Sequence, residues 1–500
     1  MRSCLTKLHQ AISCDQLLRL NFVLAAVALY TADGTIEQPL TVSDHAGVTC
    51  ARMPYGIPTL IKAWLRDGSD QSIAQRMAGT TFVIRVTNAA IVYLTQVFLA
   101  RWMGGFEFGI YVYVWTWVLL AGDLVHFGLP LAAQRYIPEY IKLAEFQLLR
   151  GFLVGGQWLV FSLAAAAAIF SAVGIKVAEP WLSHYEIIPL YLACVTLPFY
   201  ALSSMLDGIA RSYNWVNVAL IPPYFVRPLI LIALMAVGHA AGFGSDAVTA
   251  MVAAVVATWI STIVQLAILN QRLATAVERG PKTYAVKAWL GTSLPIIMAW
   301  GFYVMLTYTD VLVLQQFRPP KEVGIYYAAS KTLALVAFVY FSVATAVAHR
   351  FSEYHVAGDQ DGLRVFVTKS VKWTFWPSLA ATVVILGLGK PLLWLFGPEF
   401  VQGYPLMFIL AIGLMARASI GPAERLLNML GEQRSCAVVY ATAFATNVVA
   451  CVLLIPRFGI TGAAIATSAA LMVESTLLFA VSKRRLGLHI FIWRGRAGGG

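Results

Sequence analysis

Charge is what this sequence most lacks. Asp, Glu, Lys and Arg make up 12% of its 500 residues, about half the share of a soluble domain. Apolar–polar alternation of the kind found in membrane-spanning strands is also missing, which argues against a β-barrel. Cysteine is sparse. Cys4, Cys14, Cys50, Cys194, Cys436 and Cys451 are scattered, with no CxxC pair and no metal-ligand spacing. There is no P-loop, no HExxH and no GxSxG; Asp359–Gly362 is a fragment of an EF-hand loop and reads as a turn. The expectation is a chain that is not an enzyme and needs no cofactor and no metal. Without a nucleotide site, its work draws on an ion gradient or on the gradient of its own substrate.

What is present is apolar sequence: 59% hydrophobic residues and a mean hydropathy of +0.73. Runs of about twenty apolar residues read as membrane helices. Twelve spans fit, near 79–100, 110–132, 152–174, 187–207, 217–238, 247–269, 291–314, 324–347, 373–396, 402–420, 436–456 and 460–482. The longest connections are expected near 133–151, 270–290 and 348–372. The fold class is an all-α membrane protein. Placing these spans puts about 23 lysines and arginines, Arg417 among them, on one side against 6 on the other. The positive-inside rule makes the rich side cytoplasmic, with both termini there. Residues 1–75 are mixed and polar and read as a cytoplasmic extension or an over-extended start, with Met53 or Met77 as the true one. Residues 57–77 carry the pattern of an amphipathic surface helix.

An internal repeat organises the rest. Gly109-Ile110-Tyr111 recurs as Gly324-Ile325-Tyr326, 215 positions on; Arg135-Tyr136 and Arg350-Phe351 keep that offset, as do Phe243-Gly244 and Phe458-Gly459. Glu139-Tyr140 and Glu353-Tyr354 are 214 apart. A nearly constant offset across several anchors marks a duplicated unit. It spans six helices, so the two halves share one orientation, related by an axis along the membrane normal. The expected organisation is a six-span lobe over 76–271, a linker over 272–290, a second lobe over 291–485 and a cytoplasmic tail over 486–500.

Charges inside spans cost a few kcal/mol each and need a reason. They are Arg85, Asp123, Arg227, Asp310, Lys331 and Glu474, with His126 as a titratable neighbour. Each half opens with a hairpin holding one acid and one base, Asp123 with Arg85 and Asp310 with Lys331. Either the pairs neutralise themselves within a lobe, or the bases line a passage; Lys331 can also snorkel to the interface. Arg227, among Pro222, Pro223 and Pro228, lies on a helix the prolines must distort. Its guanidinium suits phosphate oxygens, and a structural salt bridge is the alternative. Glu474 either couples transport to H+ or Na+ or bonds within its own lobe.

The runs FLARWMGGFEFGIYVYVWTWVLLAGDLVHFGLPLAAQRYIPEY (98–140), TDVLVLQQFRPPKEVGIYYAASK (309–331) and RFGITGAAIATSAA (457–470) resemble bacterial oligosaccharide flippases, also called polysaccharide biosynthesis proteins. That family belongs to the multidrug/oligosaccharidyl-lipid/polysaccharide exporter superfamily, and the resemblance covers about 79–482. It implies two pseudo-symmetric six-helix lobes in a V. It also implies a flippase of the inner membrane that moves an undecaprenyl-diphosphate-linked oligosaccharide by alternating access, for lipopolysaccharide or exopolysaccharide assembly. Arg85, Arg227 and Lys331 would then be cavity cations, and Asp123, Asp310 and Glu474 coupling or charge-pair residues. Partners would be the lipid-linked glycan, membrane lipids, H+ or Na+ and other polysaccharide-assembly proteins. The competing readings are an ion-coupled multidrug antiporter of the same superfamily and a membrane-embedded polysaccharide polymerase.

Overall fold

The computed structural model describes the backbone of residues 70–493 and, from residue 87 on, the side chains other than those at 299, 345, 346, 348, 349 and 355; the expected extension before residue 70 lies outside the described residues. The chain divides after Arg85, and all that follows concerns the unit from Val86 onward.

Among the described residues every regular element is helical. In chain order they are α1 (Asp70–Val125), α2 (Leu129–Lys142), α3 (Phe146–Ala178), α4 (His184–Ser212), α5 (Val216–Ile221), a π turn (Pro222–Val226), α6 (Arg227–Ala240), α7 (Ala247–Ala276) and α8 (Val286–Phe317). Then come α9 (Pro320–Ala334), α10 (Ala337–Val356), α11 (Gln360–Gly387), α12 (Gly389–Phe396), α13 (Tyr404–Ser419), α14 (Ala423–Met429) and α15 (Gln433–Leu486). Ten stretches are long and apolar enough to cross a membrane if each bent pair counts once. Two of the ten turn back on themselves, which makes twelve passes. In α15 the break is Gly459, at φ 58°. A Cβ on Gly462 would meet the carbonyl of Leu454, eight residues back, a distance of about 12 Å in a straight helix. In α1 the break is Gly104, at φ 73°; Tyr93 and Phe108 then both touch Phe396. Positive φ is the conformation glycine adopts without a Cβ penalty.

The long connections foreseen near 133–151 and 348–372 are mostly helix, because α2 and α10 run on past the apolar segments to Lys142 and Val356. Polar residues extend a helix wherever its exposed face meets water, so hydropathy alone ends it too early. Three passes are bent: α8 by 46° between Met298 and Trp300, α9 against α10 by 43°, and α11 against α12 by 62°. Large apolar side chains lie exposed around the outside, as on α3 with Trp158, Ile169 and Phe170. A water-soluble surface does not carry such a girdle.

The turns at Gly104, 241–246, 318–319, 397–403 and Gly459 lie at one end, the turn end; the other, which collects most lysines and arginines, is the basic end. At the turn end one core takes residues from both lobes, including Phe108, Tyr111, Ala254, Tyr326, Phe396 and Ala463. At the basic end the second lobe has a core of its own, from Val347, Phe351, Val367, Ala418, Tyr440 and Leu478. The chain after α15 folds into that core, with Leu488 and Ile490 about 2% and 1% exposed and the Ile492 N–H donating to Ser419 O at 3.0 Å. One helix, α8, crosses between the lobes. Its first half meets the first lobe, where Tyr136 donates to Ala288 O at 2.9 Å and Trp289 Nε1 to Tyr140 at 3.2 Å; its second half packs along α15.

The duplication persists in the contacts. Tyr136 lies 5.7 Å from Phe152, and Phe351 lies 5.6 Å from Phe366. Arg135 pairs with Glu139 at 3.7 Å, and Arg350 with Glu353 at 3.6 Å.

Candidate functional site

The site begins with three prolines. Pro222 has no N–H to give Val218 O, the carbonyl four residues back. Gln265 of α7 supplies the missing donor at 3.2 Å, and its own Oε1 is held by Ser203 at 2.8 Å. The carbonyl of Pro222 accepts from the Arg227 N–H, the wider bond of a π turn, and from Ser261 Oγ at 2.7 Å. The pass is thus distorted, with the carbonyls of Val218 and Pro222 both satisfied, and Arg227 follows directly on the π turn.

Arg227 makes no ion pair within 4 Å and no side-chain hydrogen bond among the described residues. Its guanidinium carbon lies 5.6 Å from the Trp115 ring and 5.5 Å from the Tyr200 ring. Such contacts contribute about 0.5–2 kcal/mol and leave the N–H fork free. Gly122 makes room for Tyr200, whose ring a Cβ there would strike. Asp123 is within electrostatic reach of Arg227 without pairing to it. His126 is buried and its Nδ1 accepts from Gly128 N at 3.2 Å; it shapes the break between α1 and α2.

In the second lobe Asp310 is about 5% exposed and fully engaged. It accepts from Tyr326 at 2.6 Å, Thr467 at 3.2 Å and Val311 N at 2.8 Å. Lys331 does not close an ion pair with it. Its Nζ sits 5.0 Å from the Tyr327 ring, four residues back on α9, with Asp310 in electrostatic reach. Tyr308 of α8 joins the two groups: it is within electrostatic reach of Asp123 and Tyr224 in one lobe and of Tyr303 and Tyr327 in the other. Arg227, Lys331, Asp123, Tyr200, Tyr224 and Tyr308 all remain partly exposed although they lie deep in their passes. Together they offer two cations and several aromatic hydroxyls.

Glu474 is fully buried and pairs with Arg417 at 3.5 Å. Arg417, counted by sequence on the basic side and not among the charges inside spans, has a side chain 12% exposed and inserted into the second lobe. It lies 5.5 Å from the Tyr303 ring and 5.0 Å from the Tyr340 ring. Arg85 lies on the helix, but its side chain falls outside the described residues. Sequence reasoning also missed the buried bond across the turn end from Gln315 to Glu186, at 2.6 Å.

A model of the polysaccharide biosynthesis protein family matches residues 76–355, and a MatE model matches residues 295–453. The chain is 24% identical over 413 residues to an uncharacterized membrane protein of Methanocaldococcus jannaschii, covering 76% of this chain and 78% of that one. Among solved structures it resembles an inward-facing multidrug resistance MATE family transporter of the MOP superfamily. The TM-score is 0.67 at 13% identity, over 81% of this chain and 98% of that one. It also resembles the lipid II flippase MurJ in an inward closed conformation, with a TM-score of 0.62 at 14% identity over 81% and 87% of the two chains. A MOP superfamily transporter from Pyrococcus furiosus, described by the reverse polarity of its binding pocket, gives 0.62 at 14% over 82% and 95%. At these identities the likeness to the solved structures is one of fold.

Proposed function

The chain belongs to the polysaccharide biosynthesis protein family, and from that premise we propose that it is a flippase carrying a lipid-linked oligosaccharide, joined through a diphosphate, across the bacterial inner membrane. The observation that carries this reading is a pair of cations, Arg227 in one lobe and Lys331 in the other, each held against aromatic rings and neither ion-paired with an acid among the described residues. A diphosphate carries charge enough to engage two cations, and arginine meets phosphate oxygens with a fork. Sugar rings fit against tyrosines whose hydroxyls hydrogen-bond them.

By the positive-inside rule the basic end is cytoplasmic, and both termini lie there. The lobes share a core at the turn end, and on this reading substrate enters from the basic, cytoplasmic end. Rocking about the shared core would deliver it outside, driven by H+, Na+ or the glycan's own gradient, alongside other assembly proteins. Arg227→Ala tests the reading. Surface polysaccharide should be lost while the protein reaches the membrane in normal amounts, and the purified variant should bind a polyprenyl-diphosphate probe at least tenfold more weakly. Unchanged export and binding would remove Arg227 from the site. Export of cationic drugs in place of glycan would favour the antiporter reading, which the MatE match over 295–453 keeps in play.

A further inference from the structure

The second lobe holds a charge set that the translocation reading does not use. Arg417 lies 3.5 Å from Glu474 and 3.9 Å from Glu424. Two carboxylates therefore share one arginine, so the fully ionised set carries one net negative charge inside the lobe. Glu474 is wholly buried, and among the described residues neither carboxylate oxygen has a hydrogen-bond partner beyond the 3.5 Å ion pair with Arg417. Arg417 Nε and Nη2 reach these carboxylates only at ion-pair distance, and Ser378 Oγ and Tyr440 Oη are buried without a hydrogen-bond partner among the described residues. Buried polar atoms are almost always satisfied, so a cluster of exceptions asks for a missing species or a role. A small cleft lined by Val336, Ala337, Tyr340, Ser378 and Arg417 opens beside the set. It adjoins the bend between α9 and α10, and Arg417 reaches that bend directly through the Tyr340 ring.

We propose that Glu474 is a proton-binding site, and that its proton neutralises the Glu424–Arg417–Glu474 set and loosens the hold of Arg417 on α10. A single proton is the smallest species that removes the residual charge. It requires no ligand shell, whereas a metal ion would have to sit against the arginine. The groups facing Glu474 are Arg417 from α13, Glu424 from α14, Cys436 and Tyr440 from α15, Tyr303 from α8 and Tyr340 from α10. The first two are its charged neighbours. Without its carboxylate partner Arg417 keeps only Glu424 and the ring contacts, and α10 is free to change its angle to α9. The consequence for transport rests on the flippase reading; the proton site itself is a property of the lobe.

The test uses the full chain in lipid nanodiscs, with infrared difference spectra recorded across pH and spin labels at Val356 on α10 and Val438 on α15. The wild type should show a protonated-carboxyl band that titrates together with a change in label distance. Glu474→Gln should lose the band and hold the low-pH distance at every pH. Should that variant not fold, Glu424→Gln serves. It removes the competing negative charge, so Glu474 should hold its proton about tenfold less tightly, a one-unit move of the midpoint. A titration unchanged in either variant overturns the proposal, as does a midpoint that follows sodium concentration. Glycan export that persists unchanged when the protein is deleted, with the titration intact, would count against the flippase reading alone.

Discussion

Gly109 and Gly324 lie on each other's helices across the pseudo-twofold axis. A Cβ on Gly109 would strike the Pro320 carbonyl, and one on Gly324 would lie 2.8 Å from the Gly105 carbonyl. Residues 105 and 320 are themselves repeat equivalents, so each glycine meets the counterpart of its partner's neighbour. Here the second pass of each lobe crosses its twin backbone to backbone, the close approach that small residues four apart permit in membranes.

Gly109→Ala should force this crossing apart. The obstruction is a backbone carbonyl, which no rotamer change relieves, and overpacking of this kind costs about 1–3 kcal/mol. The turn-end-closed population should fall at least fivefold. Cysteines placed at Arg101 and Trp394, whose native side chains touch by a ring contact of 4.7 Å, report it: crosslinking in membranes should drop relative to the parent pair. Undiminished crosslinking would show that the crossing tolerates a methyl group.

Replacing Gln315 by Leu should weaken the same closure by another route. Glu186 would keep its burial at about 6% exposure and lose the amide that donates to it at 2.6 Å. An unsatisfied buried acceptor costs about 1–3 kcal/mol, more when charged. Glu186→Gln combined with Gln315→Leu should recover part of the loss, and a double-mutant cycle on the Arg101–Trp394 crosslink measures how much.

Lys331→Ala should impair export while leaving thermal stability within about 0.5 kcal/mol of the parent, because Lys331 contributes a ring contact and no ion pair. Asp310→Ala should instead lower stability, since Tyr326 and Thr467 would lose their acceptor. The reverse ranking, read from melting in detergent, would mean that the two residues stabilise the lobe as a pair.

Ile490→Ala should cost about 2–4 kcal/mol, the range for a large buried apolar side chain cut to a methyl. Ile490 is about 1% exposed in the basic-end core of the second lobe. The readout is a melting temperature lowered by several degrees; an unchanged value would mean that the tail segment contributes no stability.

Much of this was legible beforehand. The duplication showed because its anchors are structural: the glycines must stay small, and the Arg135–Glu139 and Arg350–Glu353 pairs lie on single helices. The distortion around Arg227 showed because proline's missing N–H is a local fact. What did not show is non-local. Arg417 sat near the end of an apolar run and was counted only as one of the basic-side cations; the return of α15 brings Glu474 to it. Asp310 and Lys331 looked like partners by depth, yet two hydroxyls from different helices satisfied the acid first. The Tyr327–Lys331 contact was within reach of sequence, being an i, i+4 pair on one helix face.

The crossing at Gly109 and Gly324 also separates what solution conditions can touch from what they cannot. Carbonyls resting on glycines have nothing to titrate and no counterion to shed. Around them runs a polar rim, where Glu399 accepts from Gly105 N at 2.6 Å and from Lys321 at 3.0 Å. Ionic strength acts on that rim through screening and leaves the pivot as it is. A fulcrum so built keeps its position while its fastenings loosen.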